Sequence, residues 1–183
     1  GFLANGVKVY ITARKEEPLI KKAKELSNEY NGTCIPIACD LSSSLGIDYF
    51  VKMIHEKEKA IDFLINNAGA AWGEPYDEFS EVGWDKVMDL NVKSLFFLTQ
   101  KLTEMLKVRA SGDDPSRVIN IGSIDGLNVP AFETYSYSTS KAAVHHLTRV
   151  MAAKLVKENI LVNAIAPGPY PSQMLGSAVD HDY

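Results

Sequence analysis

Short apolar segments alternate with longer amphipathic segments along most of the chain. The short segments are rich in β-branched and aromatic residues, which is typical of strands, whereas the longer ones repeat apolar residues at the spacing of one helix face. This pattern predicts strands at residues 7–11, 34–38, 63–65, 118–121 and 161–165, and helices at 18–30, 47–57, 84–108 and 135–157. The strand at 63–65 is wholly apolar, so we expect it to be buried on both faces.

Strands that alternate with helices build a parallel sheet with helices on both faces. We therefore predict one α/β domain over residues 1–183, with a doubly wound, Rossmann-like parallel sheet in three α/β/α layers. Such sheets bind ligands beyond the carboxyl ends of their strands. Polar or small residues follow each predicted strand, in the segments Thr12–Arg14, Cys39–Asp40, Asn66–Gly69, Gly122–Ser123 and Ala166–Gly168. One edge of the sheet is thus the predicted ligand site.

Composition excludes several classes of function. The 183 residues are 46% hydrophobic and carry a net charge of −4 with no dense basic stretch, which argues against a nucleic-acid partner. No apolar run reaches the roughly 18 residues of a membrane span and no secretory signal is visible, so we expect a cytoplasmic protein. Cys34 and Cys39 are predicted to be buried thiols, and the adjacent His145 and His146 point in different directions, so we predict no metal site.

Tyr137 and Lys141 stand four residues apart in a predicted helix, so their side chains share one face. An ammonium beside a phenol favours its ionised form and makes the tyrosine a usable general acid or base. A tyrosine four residues before a lysine is also common on an ordinary amphipathic helix, so the pair alone does not establish chemistry.

Arg14 follows the first predicted strand, where a dinucleotide-binding sheet meets the adenosine ribose. Its fork of donors matches a 2'-phosphate and predicts NADP(H), although a solvated surface arginine is the alternative. Asp40, with its neighbour Leu41, is a further candidate for cofactor binding, because the carboxylate can accept a hydrogen bond from an adenine amine. A turn cap at the strand end explains Asp40 nearly as well.

Asn67, Ala68 and Gly69 leave room for a flat ring to lie against the backbone, although a tight turn has the same composition. Ser123 follows the fourth predicted strand and precedes Tyr137 by fourteen residues. A loop of that length allows one carbonyl oxygen to accept hydrogen bonds from both hydroxyls, whereas Ser123 taken alone is an ordinary turn residue.

The order and spacing of these residues resemble the short-chain dehydrogenases/reductases. The shared elements are Asn66-Asn67-Ala68-Gly69, Asn91, Ser123, Tyr137-x-x-x-Lys141 and Pro167-Gly168. The resemblance covers essentially the whole chain and looks closest to the branch of 3-oxoacyl-carrier-protein reductases and tropinone reductases. It implies an NADP(H)-dependent oxidoreductase that interconverts a ketone and a secondary alcohol.

The resemblance also implies a role for each catalytic candidate. Tyr137 would protonate the substrate oxygen during reduction, and Ser123 would orient that oxygen. Lys141 would bind the nicotinamide ribose and ease the ionisation of Tyr137, while Asn91 would place a water that links Lys141 to solvent.

Three further residues belong to the implied nicotinamide site. The backbone at Pro167 and Gly168 would lie against the nicotinamide, and Ser172 would touch its carboxamide. Similar enzymes pair their long helices across a homodimer or homotetramer, and we expect the same here because residues 95–98 and 147–155 are more apolar than one sheet face requires.

The sequence departs from the family at both ends. A first strand with a glycine-rich turn and a C-terminal segment over the substrate are missing, so we expect a partial sequence. Two alternatives stay open. One is a non-catalytic relative or inactive fragment that only binds cofactor or oligomerises, and the other is an NAD-linked alcohol dehydrogenase.

Overall fold

The computed structural model describes residues 1–169, and the chain divides into two compact units, Gly1–Lys57 and a second that begins at Glu58. The described strands form two sheets, one of two strands and one of three, and every pairing in them is parallel. Helices connect successive strands within each unit. The parallel, Rossmann-like α/β class is therefore confirmed, while the single domain over residues 1–183 stays a prediction.

The first unit contains two strands and two helices, in the order β1 Val9–Ala13, α1 Glu16–Tyr30, β2 Cys34–Ala38 and α2 Ser44–Lys57. Its small core packs Leu3, Ala23 and Cys34 against partly buried aliphatic side chains of β1 and α1. Gly6, at φ 75°, ends the short 3₁₀ turn before β1, and Asn31, at φ 48°, ends α1. Both adopt the left-handed conformation that terminates a helix, so the predicted end of the helix at residue 30 is correct.

The first strand lies two residues later than the sequence pattern predicts. Val9 pairs with Cys34 and Ala13 pairs with Ala38, so Thr12 and Ala13 belong to β1 rather than to the loop after it. The pairing with β2 continues past Ile11, the last large apolar side chain of the predicted strand, as far as Ala13. Only Arg14, of the three residues expected beyond this strand, lies past its end.

The second unit contains a three-stranded sheet with β4 between β3 and β5. Its elements are β3 Phe63–Asn66, α3 Glu81–Met88, a π-helical turn Asp89–Lys93, α4 Ser94–Lys107, β4 Ser116–Ile121, α5 Tyr135–Leu155 and β5 Ile160–Ile165. The carboxyl ends of the three strands are level, because Asn66 pairs with Asn120 and Ile121 pairs with Ile165. Loops that follow these strands therefore meet at one edge.

The helix predicted at residues 84–108 begins earlier than expected and is interrupted. Ser80 caps α3 by accepting a hydrogen bond from Gly83 N at 3.2 Å, which sets the start at Glu81. The five residues of the π-helical turn separate α3 from α4. Such turns have no periodicity signal in the sequence and often occur at functional sites.

Buried polar side chains join the sheet of the second unit to its two long helices. Asn66 Nδ2 donates to Thr99 Oγ1 of α4 at 3.0 Å and to Asn120 Oδ1 at 2.8 Å. Asn120 Nδ2 in turn donates to Thr148 Oγ1 of α5 at 2.9 Å. Both helices therefore cover the face that carries Asn66 and Asn120.

The prediction that β3 is buried on both faces is wrong. Leu64 and Asn66 are buried, but Ile65 between them is 37% exposed. The reason is the alternation of side chains along a strand, because α4 and α5 cover only the Asn66 face. Among the described helices, none is long and apolar enough to span a bilayer.

Candidate active site

Arg14 and Asp40 lie past the ends of β1 and β2 in the first unit. Asp40 Oδ1 accepts hydrogen bonds from Ser42 N at 3.0 Å and from Ser42 Oγ at 2.8 Å. These bonds, with a smaller contribution from the charge of Arg14, hold the pKa of the Asp40 carboxyl below its ordinary value. Asp40 therefore caps the turn after β2, as the simpler interpretation expected, while Arg14 is exposed and Leu41 is buried.

Lys141 is the most unusual ionisable group in the second unit. It lies on α5, is only 6% exposed, and its Nζ donates to Ile121 O at the end of β4 at 2.7 Å. Burial disfavours the ammonium and lowers the pKa of Lys141 to about 8. Its Nζ also lies 5.6 Å from the centroid of the Tyr137 ring, so the two side chains of the predicted pair do lie together.

Asn91 lies in the π-helical turn and is 2% exposed. Its Oδ1 accepts from Ala70 N at 2.8 Å, and its Nδ2 donates to Ala70 O at 2.9 Å and to Ser140 Oγ at 2.9 Å. The amide thus binds the loop after β3 and helix α5 at once. A methyl group at Gly69 would lie 3.4 Å from Asn91 Oδ1 and 3.7 Å from Lys141 Nζ, so this loop passes directly beside both side chains.

Ser140 is a residue of the site that the sequence interpretation missed. Its Oγ accepts the hydrogen bond from Asn91 Nδ2 and donates to Tyr137 O at 2.7 Å, and the side chain is fully buried. Ser140 therefore connects the π-helical turn to the helical turn that carries Tyr137. Its position directly before Lys141 was visible in the sequence, but its partner was not.

Ser123 is buried just past the end of β4, in an extended conformation with φ −166°. Its Oγ accepts from Asp125 N at 3.1 Å. The end of β5 and the segment after it hold the backbone on either side, since Gly122 N donates to Ile165 O at 2.8 Å and Ile124 N donates to Pro167 O at 3.1 Å. Pro167 is therefore a direct neighbour of the Ser123 loop.

His145 is half-buried on α5, and its ring contacts the loop that carries Ser123. Its Nε2 lies 2.9 Å from Ser123 O. The ring lies against Gly122, where an added Cβ would lie 2.3 Å from the nearest ring atom. Its position four residues after Lys141 was the available signal, because this spacing continues the face of α5 that carries Tyr137 and Lys141.

The remaining candidates lie in loops. The side chains of Asn67 and Ala68 are exposed after β3, and Gly168 lies beside Ile124, with 3.9 Å from an added Cβ to Ile124 Cδ1. Ser172 lies outside the described residues. Within residues 1–169, no group of His, Cys, Asp and Glu side chains could hold a metal ion.

An open groove of about 400 Å³ lies next to the amino-terminal end of α5, and its lining residues are Tyr76, Phe79, Glu81, Trp84, Tyr135 and Thr139. The aromatic rings contact one another edge to face, as in the pair Phe79 and Tyr135 with centroids 5.6 Å apart. Trp72 instead packs against Gly83 and lies under the ammonium of Lys86.

A buried hydroxyl, that of Ser123, thus lies at the carboxyl end of β4, and the adjacent helix α5 carries a phenol and a buried amine that contacts the same strand end. A phenol next to an ammonium can transfer a proton to or from an alcohol or carbonyl oxygen. A second hydroxyl can hold that oxygen in place. Glycine and alanine in the loop after β3 leave space for a ligand against the backbone.

A family model described as short chain dehydrogenase matches residues 1–182. The chain is 43% identical over 174 residues to the rhamnolipids biosynthesis 3-oxoacyl-[acyl-carrier-protein] reductase of Pseudomonas aeruginosa, covering 95% of this chain and 67% of that protein. It is 38% identical over 138 residues to the 2-dehydro-3-deoxy-D-gluconate 5-dehydrogenase of Dickeya dadantii, covering 73% of this chain and 51% of that protein.

Solved structures of oxidoreductases are also similar to this chain. The RhlG/NADP active-site complex of Pseudomonas aeruginosa superposes with a TM-score of 0.91 at 42% identity, over 97% of this chain and 69% of that one. The L-sorbose reductase of Gluconobacter frateurii, complexed with NADPH and L-sorbose, superposes with a TM-score of 0.84 at 26% identity, over 91% of this chain and 62% of that one.

The burial of Lys141 predicts a pH-dependent stability. Its folded pKa of about 8 lies below the ordinary value, so between pH 8 and 10 the unfolded chain binds more protons and stability rises with pH. Replacing Lys141 by Met removes this contribution. Urea titrations should therefore show the free energy of unfolding of wild type rising relative to Lys141→Met by about 2 kcal/mol across this range, at about 1.4 kcal/mol per pKa unit.

The matched control is Lys154→Met, which removes an exposed ammonium from the same helix. Effects of pH that all variants share cancel in these differences. A difference between wild type and Lys141→Met that does not change with pH would contradict the lowered pKa of a buried amine at this position.

Proposed function

The chain belongs to the short-chain dehydrogenase family of oxidoreductases, and on this basis we propose an enzyme that interconverts a ketone and a secondary alcohol with NADP(H). The observation that carries the proposal is the buried Lys141 beside Tyr137 at the carboxyl edge of the three-stranded sheet. A buried ionisable side chain whose pKa is strongly shifted by its surroundings is a candidate for a functional residue, and burial shifts the pKa of Lys141 in this way.

In this proposal Tyr137 exchanges a proton with the oxygen of the substrate. The ammonium of Lys141, with Nζ 5.6 Å from the ring centroid, favours the negative charge that develops on the phenol when the proton leaves. Ser140 and Asn91 keep the helical turn of Tyr137 in place, because their hydrogen bonds connect Tyr137 O to the loop after β3.

Ser123 is proposed to orient the same substrate oxygen. Its Oγ accepts a hydrogen bond from Asp125 N, which fixes the oxygen while leaving the O–H of Ser123 available to donate. Two donors directed at one oxygen stabilise the charge that appears on it in the transition state. The buried position of Ser123 reduces competition from water.

NADP(H) fits the residues present. In the first unit, the exposed guanidinium of Arg14 suits a 2'-phosphate. In the second unit, the small residues Ala68 and Gly69 carry no large side chain that would prevent a flat ring from approaching the backbone. Pro167 and Gly168 would support the nicotinamide, and Lys141 its ribose. When bound, the cofactor supplies or accepts the hydride. In the first unit, Asp40 and Leu41 are proposed to flank the adenine.

The relatives support the reaction class more than any one substrate. Their names describe a 3-oxoacyl reductase, a sugar-acid dehydrogenase and a sorbose reductase, which differ in substrate and agree in reducing or dehydrogenating it. We also propose a homodimer or homotetramer in the complete protein. Phe97 on α4 and Val150 on α5 are 37% and 52% exposed, and both would be covered if these helices pair with a second copy.

Replacing Tyr137 by Phe tests the mechanism. We expect kcat for carbonyl reduction by the full-length protein to fall roughly 100-fold or more, because general acid catalysis contributes about 10²–10⁴. Tyr135→Phe is the matched control, since it removes a hydroxyl from the same helix that bonds Glu133 instead. Carbonyl reduction that survives Tyr137→Phe at the wild-type rate would remove Tyr137 from its proposed role.

Replacing Arg14 by Asp tests the cofactor assignment against the NAD-linked alternative. The ratio of kcat/KM for NADPH to that for NADH should fall by roughly tenfold or more, since a hydrogen bond to a charged group contributes about 1.5–3 kcal/mol. Lys24→Asp makes the same change in charge at an exposed position of α1 and should preserve the ratio. An NADPH preference that persists in Arg14→Asp would show that another residue recognises the phosphate.

A further inference from the structure

The ring of His145 contacts the backbone of the proposed catalytic serine. Its Nε2 lies 2.9 Å from Ser123 O and 3.4 Å from Ser123 N. One ring nitrogen cannot donate to the carbonyl and accept from the amide at once, and the shorter distance is that of a good N–H···O bond. Nε2 therefore carries a hydrogen and donates to Ser123 O.

The ring of His145 packs against Gly122, where the absence of a side chain leaves space for it. An added Cβ at Gly122 would lie 2.3 Å from His145 Cε1 and 2.6 Å from Nε2, which is far inside van der Waals contact. Any other residue at 122 would displace either the ring or the loop. The observed packing of the His145 ring between α5 and the end of β4 thus requires a glycine at position 122.

The hydrogen bond of His145 completes the set that holds Ser123. The end of β5 and the segment after it hold the backbone on either side of Ser123, through hydrogen bonds from Gly122 N and Ile124 N. Neither bond connects Ser123 to α5, the helix that carries Tyr137. His145 supplies that connection from the same face of α5, two turns after Tyr137 and one turn after Lys141.

We propose that His145 is a positioning residue that fixes the Ser123 hydroxyl relative to Tyr137 through its hydrogen bond to Ser123 O. This inference rests on the proposed function, because it assigns His145 an effect on catalysis only through Ser123. Two hydroxyls must reach one substrate oxygen, and a displacement of about 1 Å in such an arrangement can reduce the rate by roughly 10²-fold.

The test is a double-mutant cycle between His145 and Ser123 in the full-length protein. His145→Leu removes the donor and should lower kcat roughly tenfold or more while the dissociation constant of NADPH changes less than about twofold. In a Ser123→Ala background, where no hydroxyl is left to position, His145→Leu should cause little further loss. His145→Gln, which keeps a side-chain N–H at a similar reach, should recover most of the activity.

A wild-type kcat in His145→Leu would overturn the inference, and so would equal losses in the presence and absence of the Ser123 hydroxyl. His145→Gln that is as impaired as His145→Leu would also overturn it, since the N–H would then not matter. If His145→Leu does not fold, Gly122→Ala replaces it. The added methyl displaces the ring and should lower kcat, but should add little to His145→Ala, where the ring is absent.

Failure of this inference differs from failure of the proposed function. If Tyr137→Phe abolishes turnover but His145→Leu does not, only the role of His145 is wrong. If Tyr137→Phe retains turnover, the proposed function fails and the inference about His145 fails with it.

Discussion

Close approach of helix α5 to the end of strand β4 is the constraint on which the candidate site depends. An added Cβ at Gly126 would lie 2.5 Å from Lys141 C, so the short turn after Ser123 lies directly against the helix backbone. Lys141 Nζ donates to Ile121 O across the same junction. The strand end and helix therefore act as one rigid support, which is what proton transfer between fixed groups requires.

Polar side chains in this region are costly to bury unless their hydrogen bonds are satisfied. The side-chain amide of Asn91 offsets the cost of its burial with three hydrogen bonds, to Ala70 N, Ala70 O and Ser140 Oγ. The hydrogen bond of Lys141 to Ile121 O offsets only part of the cost of burying the ammonium, because a carbonyl oxygen bears no full charge. The pKa of the amine therefore falls to about 8. A negative charge nearby, on an ionised phenol or a bound anionic ligand, would therefore stabilise the buried ammonium of Lys141.

Periodicity predicted most of the fold because both element types repeat their apolar residues regularly. The strand at 34–38 and the helix start at Tyr135 match the structure. The π-helical turn at Asp89–Lys93 could not be predicted, since its geometry depends on the tertiary bonds of Asn91. Ile65 was misjudged because a short apolar run does not reveal how many faces of a strand are covered.

The site was predictable where chemistry is carried by residue type and spacing, as for Tyr137 and Lys141. Ser140 and His145 were not identified, because each acts on a backbone atom, Tyr137 O or Ser123 O, that no sequence pattern marks. For Asp40 the sequence left two interpretations open, a hydrogen bond to an adenine amine and a turn cap. The structure shows the cap, because Ser42 donates to Oδ1, and the bond to adenine stays a prediction.

The most direct test follows the hydride itself. NADPH carrying two deuterium atoms at C4, so that hydride transfer from either face is labelled, would be incubated with the full-length protein and, in turn, a 3-oxoacyl thioester, a cyclic ketone and a keto sugar. The account predicts that at least one carbonyl is reduced, with deuterium on the new carbinol carbon. Failure to oxidise NADPH with any of the three, or reduction that leaves no deuterium on that carbon, would contradict it.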